Sequence, residues 1–166
     1  MENKKIKFFQ TALIGITILF IASCSINTEK YEQEEEMAIQ NFLSLNPDLN
    51  FELKPSGLYY LDVLVGTGPQ AETHDTFYVK FTARYLGGGL FDTNVGTDDT
   101  LIYPVNEGKV IAGLDEGITY MKEGGKSRML IPSKLAFGST GTYFIPGYTP
   151  LLFDVELVRL KKGPGN

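Results

Sequence analysis

The strongest constraint on the fold is a run of regular alternation between residues 76 and 86. Apolar side chains occupy every second position, and Lys80, Thr82 and Arg84 lie between them. The apolar positions are Phe77, Val79, Phe81, Ala83 and Tyr85. A period of two predicts a β-strand, because successive side chains of a strand point to opposite faces. One apolar and one polar face is typical of an antiparallel sheet with its core on one side and water on the other.

Other segments extend this sheet. Strands are predicted at residues 58–65, 101–105, 126–131 and 151–160, with a short extended piece at 90–92, and Gly- or Pro-containing turns separate several of them. One segment between the strands, Val110 to Met121, has apolar residues at helical spacing instead. The expected fold class is α+β, with a bent antiparallel sheet wrapped around one short helix.

A second, N-terminal helix is predicted over residues 31–49. It follows an acidic run at residues 29–36, and carboxylates suit the positive end of a helix. Ala38, Phe42 and Leu45 form an amphipathic stripe, with Ile39 and Leu43 beside it, and Asn46-Pro47 ends the helix. We expect this helix to pack on its own domain, and a dimerisation arm is the alternative.

The first residues have the pattern of a secretory signal. Three lysines precede an apolar run at residues 12–22, which is too short to span a bilayer comfortably. The run ends in Ala22-Ser23-Cys24, which resembles a bacterial lipobox. Residues 1–23 are therefore expected to be a lipoprotein signal peptide, Cys24 the lipidated residue, and residues 24–30 a tether. The alternative for Cys24, the only cysteine, is a free thiol.

Charge and residue types exclude several functions. With 15 basic and 20 acidic residues the chain has a net charge of −5, and no basic patch is visible, so nucleic acid is not an expected partner. The one histidine, His74, lies in a polar turn, and no Ser or Cys nucleophile has a base partner. A hydrolase, a metal site and a cofactor are therefore not expected, and His74 is interpreted as a surface residue.

Four groups of residues, in this order and spacing, carry a specific resemblance. They are Gly57-Leu58-Tyr59-Tyr60 with Gly66-Thr67-Gly68; Leu90-Phe91-Asp92-Thr93; Val110-Ile111-Ala112-Gly113-Leu114-Asp115-Glu116-Gly117; and Ile131-Pro132, Leu135-Ala136-Phe137-Gly138, Ile145-Pro146 and Leu152-Phe153-Asp154-Val155-Glu156-Leu157. From about Gly57 to Lys161 the chain resembles the FKBP family of peptidyl-prolyl cis-trans isomerases, in its bacterial lipoprotein form.

The resemblance implies an isomerase domain over residues 50–166, folded as an antiparallel half-barrel around the helix. It also implies a proline pocket between helix and sheet. The substrate-binding residues carried over by position are Phe81, Phe91, Leu101, Val110, Leu114, Phe144, Ile145 and Phe153. Taken alone, Phe81 and Phe153 are ordinary core residues of an alternating sheet, and Val110 and Leu114 ordinary helix residues. The resemblance assigns them to a pocket.

Three further positions receive catalytic roles from the resemblance. The backbone N–H of Ile111, at a helix start, is expected to hold a substrate carbonyl. Asp92 is expected at the pocket edge, accepting hydrogen bonds from neighbouring side chains, and Phe137 is expected in the pocket wall. Such a site needs no nucleophile, metal or cofactor, because rotation about an X-Pro bond requires only that amide resonance be lost.

This chain departs from the family pattern in the pocket itself. Leu114 stands where the family usually has Trp, Phe81 where Tyr is frequent, and Leu101 where Phe is usual. Phe137 replaces a Tyr whose hydroxyl donates to a bound carbonyl. Two alternatives to a working isomerase therefore stay open. One is a weak or inactive binding or chaperone module, and the other is a structural lipoprotein whose groove packs against an envelope partner.

The combined prediction is an isomerase that assists the folding of envelope or secreted proteins. Its partners are proline-containing polypeptides and, through the lipid anchor, a membrane surface facing the periplasm. A monomer is expected.

Overall fold

The computed structural model describes residues 28–164, in two units that comprise Met1–Met37 and Ala38–Asn166. Cys24 and the predicted signal peptide lie outside the described residues, so their assignment stays a prediction. In the first unit, residues 28–37 are helical, and Lys30 forms an ion pair with Glu34 at 3.5 Å. None of the helices between residues 28 and 164 combines the length and apolar character needed to cross a bilayer.

Among the described residues helix α1 covers residues 28–45, so it already includes residues before the predicted start at 31 and ends before the predicted bound at 49. Residues 28–30, assigned from sequence to the tether, are helical. Its last residue, 45, directly precedes Asn46-Pro47, the pair that the sequence predicted as its stop signal. Proline disfavours helical geometry in the residue before it, and Asn46 Nδ2 donates to the Phe42 carbonyl at 2.8 Å.

The second-unit part of α1 packs on its own domain, as expected, but through a different stripe. Ile39 is buried with Leu130 and Leu152, and Phe42 and Leu43 pack beside them. The prediction that Ala38 and Leu45 belong to the stripe is wrong, because Ala38 is exposed and Leu45 is 72% exposed. The contact is centred on Ile39, so the buried positions are i, i+3 and i+4 from that residue.

Seven strands form one antiparallel sheet in the second unit. They are β1 (Glu52–Leu53), β2 (Tyr59–Leu64), β3 (Thr76–Tyr85), β4 (Leu90–Thr93), β5 (Leu101–Pro104), β6 (Lys126–Ile131) and β7 (Leu151–Lys161). Their order is β1-β2-β6-β7-β3-β4, and β5 also pairs with β3. The sheet is bent and does not close into a barrel.

The alternation that predicted β3 is confirmed. Four of its five apolar positions, Phe77, Val79, Phe81 and Ala83, are buried, whereas Tyr85 and the positions between them are half-buried. The prediction also holds for β6, where Ser127, Met129 and Ile131 are buried, with one exception: Leu130, on the other face, is fully buried too. Its burial follows from α1, which covers that part of the outer face. The outer face of the sheet is therefore exposed to solvent only where α1 does not cover it.

Helix α2 (Ala112–Thr119) is shorter than the predicted segment Val110 to Met121. Ile111 has an extended backbone with ψ of 142°, so Val110 and Ile111 precede the helix. At the other end the N–H groups of Tyr120 and Met121 donate to the carbonyls of Gly117 and Ile118 at 3.2 and 3.0 Å. These i→i+3 bonds tighten the last turn and end the helix.

Two glycines let α2 lie close to the sheet. A Cβ placed on Gly117 would lie 2.4 Å from Met129 Sδ, and one on Gly113 would lie 2.4 Å from Ile131 Cγ2. Both glycines are buried, and both neighbours are fully buried side chains of β6. The helix is thereby held against the face of the sheet that carries the main core, with Leu114 and Ile118 buried beneath it.

Candidate active site

Three phenylalanine rings from three strands form an aromatic floor beside α2. Phe81 of β3 stacks on Phe153 of β7, with ring centroids 5.9 Å apart and planes at 24°. Phe91 of β4 meets Phe153 edge-on at 6.1 Å and 74°. Both geometries are favourable for aromatic pairs. Phe81 and Phe153 are only 8% and 6% exposed, whereas Phe91 is half-buried. The aromatic floor is therefore rigid at its base and opens towards Phe91.

The N-terminal end of α2 supplies a second side to this cluster. Leu114 is buried in the same core as the aromatic floor, and Val110 and Ile111 pack against that core while remaining half-buried. Leu101, Phe137 and the buried Ile145 belong to it as well. Each of these residues was predicted to line a pocket, and the fold brings them into one apolar cluster. Their role in binding stays a prediction.

Ile111 has the position expected of a hydrogen-bond donor. Its carbonyl accepts the N–H groups of Leu114 and Asp115 at 3.0 and 3.1 Å, as the residue before a helix should. No acceptor for its own N–H is found among residues 28–164. The first N–H groups of a helix lack intrahelical partners and carry the positive end of its dipole. The Ile111 N–H is thus available for an oxygen atom of a bound peptide.

A sequence comparison identifies the family. The sequence model of the FKBP-type peptidyl-prolyl cis-trans isomerases matches residues 68–158. This chain belongs to the FKBP family. The match covers β3 to β6, α2 and β7 as far as residue 158, and therefore all three rings of the aromatic floor.

The sequence of this FKBP chain is similar to those of several kinds of protein. It is 37% identical over 107 residues to an FKBP-type isomerase, FkpA, of Aeromonas hydrophila, and 42% identical over 105 residues to FK506-binding protein 4 of Dictyostelium discoideum. These alignments cover 64% and 63% of this chain but only 39% and 28% of the two relatives. The chain thus spans well under half the length of either protein.

A third relative is matched over most of its length. It is the chloroplast protein of Arabidopsis thaliana named photosynthetic NDH subunit of lumenal location 4, which is 30% identical over 163 residues. The alignment covers 91% of this chain and 75% of that protein.

Solved structures agree with the fold. FkpA from Escherichia coli has a TM-score of 0.72 at 27% identity, over 94% of this chain and 73% of its own. AtFKBP13 has a TM-score of 0.63 at 32% identity, over 68% of this chain and 99% of its own.

Two of the predicted FKBP site residues differ from the rest in their surroundings. Phe144 is 80% exposed and lies outside the buried cluster. Asp92 is exposed on β4, and among residues 28–164 its carboxylate accepts no hydrogen bond. The hydrogen bonds expected for Asp92 from neighbouring side chains are therefore not formed. Alternation explains this, because Asp92 follows Phe91 on a strand and points away from the side that Phe91 occupies.

Sequence reasoning did not identify Tyr85 as part of the FKBP site. Its ring lies 5.3 Å from that of Phe91, and its hydroxyl donates to the carbonyl of Phe144 at 3.0 Å. Tyr85 thus connects the aromatic floor to the loop that carries Phe144. In that loop the Tyr143 and Phe144 rings pack against each other with centroids 4.9 Å apart. The alternation on β3 placed Tyr85 on the floor side, but no pattern in the sequence indicates its partner.

Asp115 is the second residue that sequence reasoning missed. Its buried carboxylate accepts the N–H groups of Asn106 and Gly108 at 2.6 and 3.0 Å. These bonds fix the loop that leads into Val110 and Ile111, so they hold the free Ile111 N–H in place. The signal available in the sequence was a carboxylate in the first turn of α2, at a position where helical spacing points inward.

The titratable groups with displaced pKa values lie away from the FKBP pocket. Burial, with a hydrogen bond to Glu116, raises the pKa of Tyr120 to about 12, and burial likewise raises the pKa of Tyr60. Hydrogen bonds to Asp75 and Glu72 raise the pKa of Lys162. His74 is exposed, as predicted, and its Nδ1 lies 3.3 Å from Oε1 of Glu107. No group of three metal-binding side chains is present in the described part of the chain.

Proposed function

We propose that this chain is a peptidyl-prolyl cis-trans isomerase that acts on X-Pro bonds of extended client polypeptides. The observation that carries the proposal is the meeting of an apolar aromatic floor with the unpaired N–H of Ile111 at the start of α2. The floor offers a dry surface for a proline ring. The N–H offers a donor for a carbonyl oxygen of the same peptide.

These two elements suffice for the chemistry. Rotation about an X-Pro bond faces a barrier of about 18–20 kcal/mol, because amide resonance must be lost, and uncatalysed exchange takes tens to hundreds of seconds. The planar amide separates charge more than the twisted amide does. An apolar surround therefore disfavours the planar form, and a fixed donor that meets the twisted carbonyl lowers the barrier further.

The remaining residues have supporting roles in this proposal. Phe81, Phe91 and Phe153, with Val110 and Leu114, hold the proline ring. Leu101, Phe137 and Ile145 complete the wall, but Phe137 has no hydroxyl to donate to the client. The client carbonyl is then held by the Ile111 N–H alone, and we therefore expect only modest rates of isomerisation. Asp92, exposed and without a partner among the described residues, accepts a hydrogen bond from the client backbone.

The rim of the pocket extends the contact beyond proline. Tyr143 is 94% and Phe144 80% exposed, and Tyr85 holds the Phe144 carbonyl. Large apolar side chains this exposed favour a role in binding. They accept an apolar side chain next to proline in an unfolded client.

The protein is proposed to act at a bacterial membrane surface, facing the periplasm. Support comes from the lysine-rich start, the short apolar run and the Ala22-Ser23-Cys24 sequence. Acyl chains on Cys24 contribute about 0.8 kcal/mol per buried methylene, so they hold a protein on a bilayer without a spanning helix. Labelled palmitate should enter the native chain in bacterial cells and should not enter Cys24→Ser.

A second candidate function is docking without catalysis. Two observations favour it: Phe137 lacks the hydroxyl of the family pattern, and a relative matched over 75% of its length is named as a subunit of photosynthetic NDH. In this alternative the same pocket binds an apolar segment of a partner protein and catalyses no isomerisation.

One NMR experiment separates the two functions. Short peptides of the type X-Leu-Pro-Phe are mixed with the full chain in detergent micelles, and exchange between cis and trans resonances is measured. The isomerase proposal expects exchange broadening with the native chain, and its loss in the double variant Phe91→Ala, Asp92→Ala. Peptide binding with no accelerated exchange would contradict the enzyme and support docking. Absence of both would reject the pocket itself.

A further inference from the structure

Strand β3 has a gap in its hydrogen-bonded neighbours next to the aromatic floor. Pairing with β4 begins at Thr82, opposite Thr93, while pairing with β5 reaches only as far as Val79, opposite Leu101. Neither strand covers Lys80 and Phe81 on this side. A buried backbone N–H or carbonyl left without a partner there would be costly, so something else must fill the gap.

The side chain of Asn94 fills it. Its Oδ1 accepts the Phe81 N–H at 2.7 Å, and its Nδ2 donates to the Val79 carbonyl at 3.0 Å. The residue's own N–H donates to the Phe81 carbonyl at 3.2 Å. A carboxamide has the same donor and acceptor as a peptide group, so Asn94 replaces one missing residue of a neighbouring strand. It is 8% exposed, and the bonds are shielded from water.

Lys80 holds the loop that follows Asn94. Its ammonium group donates to the backbone carbonyls of Asn94 at 3.4 Å, of Thr97 at 2.8 Å, and of Asp99. Three carbonyls of one loop thus converge on a single cation from the strand beneath. This fixes the connection from β4 to β5, and with it the point where the chain re-enters the sheet at Leu101.

These contacts bear on the pocket through Phe81. The Asn94 side chain bonds the N–H of the residue whose ring stacks on Phe153, and Phe153 in turn meets Phe91. A ring stacked at 5.9 Å is sensitive to small shifts of its backbone. Asn94 lies on the strand edge and does not belong to the apolar cluster, so its influence on a bound proline is indirect.

We infer that Asn94 is a positioning residue for the proline pocket, which holds the Phe81 backbone so that the aromatic floor keeps its stacked geometry. The inference rests on the proposed isomerase function for its effect on catalysis. Its effect on the geometry of the floor stands without it. Lys80 supports the same arrangement by fixing the loop that presents Asn94.

The test compares three variants of the full chain in detergent micelles. Asn94→Ala removes both side-chain bonds. Asn94→Asp keeps an acceptor for the Phe81 N–H but places its second oxygen against the Val79 carbonyl. Asn46→Ala is the matched control, because Asn46 also donates a side-chain bond to a backbone carbonyl, that of Phe42, on α1. Peptide exchange rates are recorded against peptide concentration to separate kcat from KM. Hydrogen exchange of the Phe81 amide and the NMR ring resonances of Phe81, Phe91 and Phe153 are recorded on the same proteins.

Asn94→Ala should lower kcat about tenfold with little change in KM, since a misplaced floor weakens the hold on the twisted state. The Phe81 amide should exchange faster, and the three rings should shift. Asn94→Asp should recover part of kcat and most of the amide protection. Asn46→Ala should leave the rates and the ring resonances as in the native chain.

Two results would overturn the inference. One is a folded Asn94→Ala protein with native ring resonances and native Phe81 protection. The other is a loss of rate in Asn46→Ala as large as that in Asn94→Ala, which would reflect stability alone. If the native chain itself catalyses no exchange, the proposed function fails, and the ring shifts and amide protection still decide the role of Asn94.

Discussion

The aromatic floor and the rim of the pocket are built in opposite ways. The floor is three rings on three paired strands, and Phe153 at its centre contacts both of the others. The rim is the pair Tyr143 and Phe144, which contact each other and are 94% and 80% exposed on a loop without regular structure at residues 136–150. Tyr85, whose ring lies against that of Phe91, donates a hydrogen bond to the Phe144 carbonyl and so connects the rim with the floor.

Under the proposed function, this difference separates two tasks. A surface that recognises a proline ring must keep one shape, and packing within a sheet provides that rigidity. A surface that meets many different neighbours of proline must adapt, and exposed aromatic side chains on a loop do so at little cost in stability. Changes in the floor are therefore expected to alter folding and catalysis together, and changes in the rim to alter client preference alone.

The largest effect is expected for Phe153→Ala. This change removes the ring that joins the floor, and truncating a buried Phe typically costs about 3–5 kcal/mol of unfolding free energy. Urea unfolding followed by circular dichroism measures it, and isomerase activity should fall below detection. Phe153→Leu is the control, because it keeps most of the volume and should lose less than about 1.5 kcal/mol. Equal losses in both variants would show that stacking, not volume, stabilises the floor.

A smaller and opposite effect is expected for Phe137→Tyr. The new hydroxyl supplies the donor that the pocket lacks, and one hydrogen bond contributes about 0.5–1.5 kcal/mol, or roughly a twofold to tenfold gain in peptide affinity. Titration followed by peptide line shapes measures the gain. Phe137→Met adds no donor and should bring none. Unchanged affinity in the Tyr variant would mean that residue 137 does not face the bound carbonyl.

The rim is tested by the double change Tyr143→Ser, Phe144→Ser. Both side chains are exposed, so stability should change by no more than about 0.5 kcal/mol. KM for an unfolded protein client should rise several-fold, while KM for a tetrapeptide should stay close to native. A thermal melt and the two KM values separate these effects. An equal rise for both clients would place the rim within the proline site.

The smallest effect is expected for Asp92→Asn. The carboxylate is exposed and has no hydrogen bond among the described residues, and the amide keeps an acceptor of similar size. The activation free energy should rise by about 0.5 kcal/mol at most, which lowers the rate roughly twofold, and peptide exchange rates of the two proteins measure the difference. A fall of tenfold or more would show that the Asp92 carboxylate takes a direct part in catalysis.

The sequence predicted the floor better than the rim, for a physical reason. The alternation from Phe77 to Tyr85 determines a strand and its buried face, and side chains on one face of neighbouring strands must meet. The resemblance to the FKBP family then named the residues of the cluster, which the fold brings together.

Long-range polar contacts could not be predicted in this way. The carboxamide of Asn94 reaches back to Val79 and Phe81, and the Tyr85 hydroxyl reaches Phe144 in a loop far along the chain. Neither contact has a periodic pattern. The buried face of the N-terminal helix was mispredicted for a related reason. Its apolar stripe was placed one position away from Ile39, because several apolar residues are adjacent there. Only the facing surface of the sheet, Leu130 and Leu152, determines which of them are buried.

The position of β7 in the sheet has a consequence for how the protein itself is made. This last strand lies between β3 and β6 and pairs with both over most of its length. A chain that leaves the ribosome N-terminus first therefore carries two half-sheets with unpaired inner edges until residues 151–161 have emerged. Such edges attract other strands. Any chain cut before Leu151 is expected to aggregate, and a protein proposed to help others fold is itself among those that must be complete before it can fold.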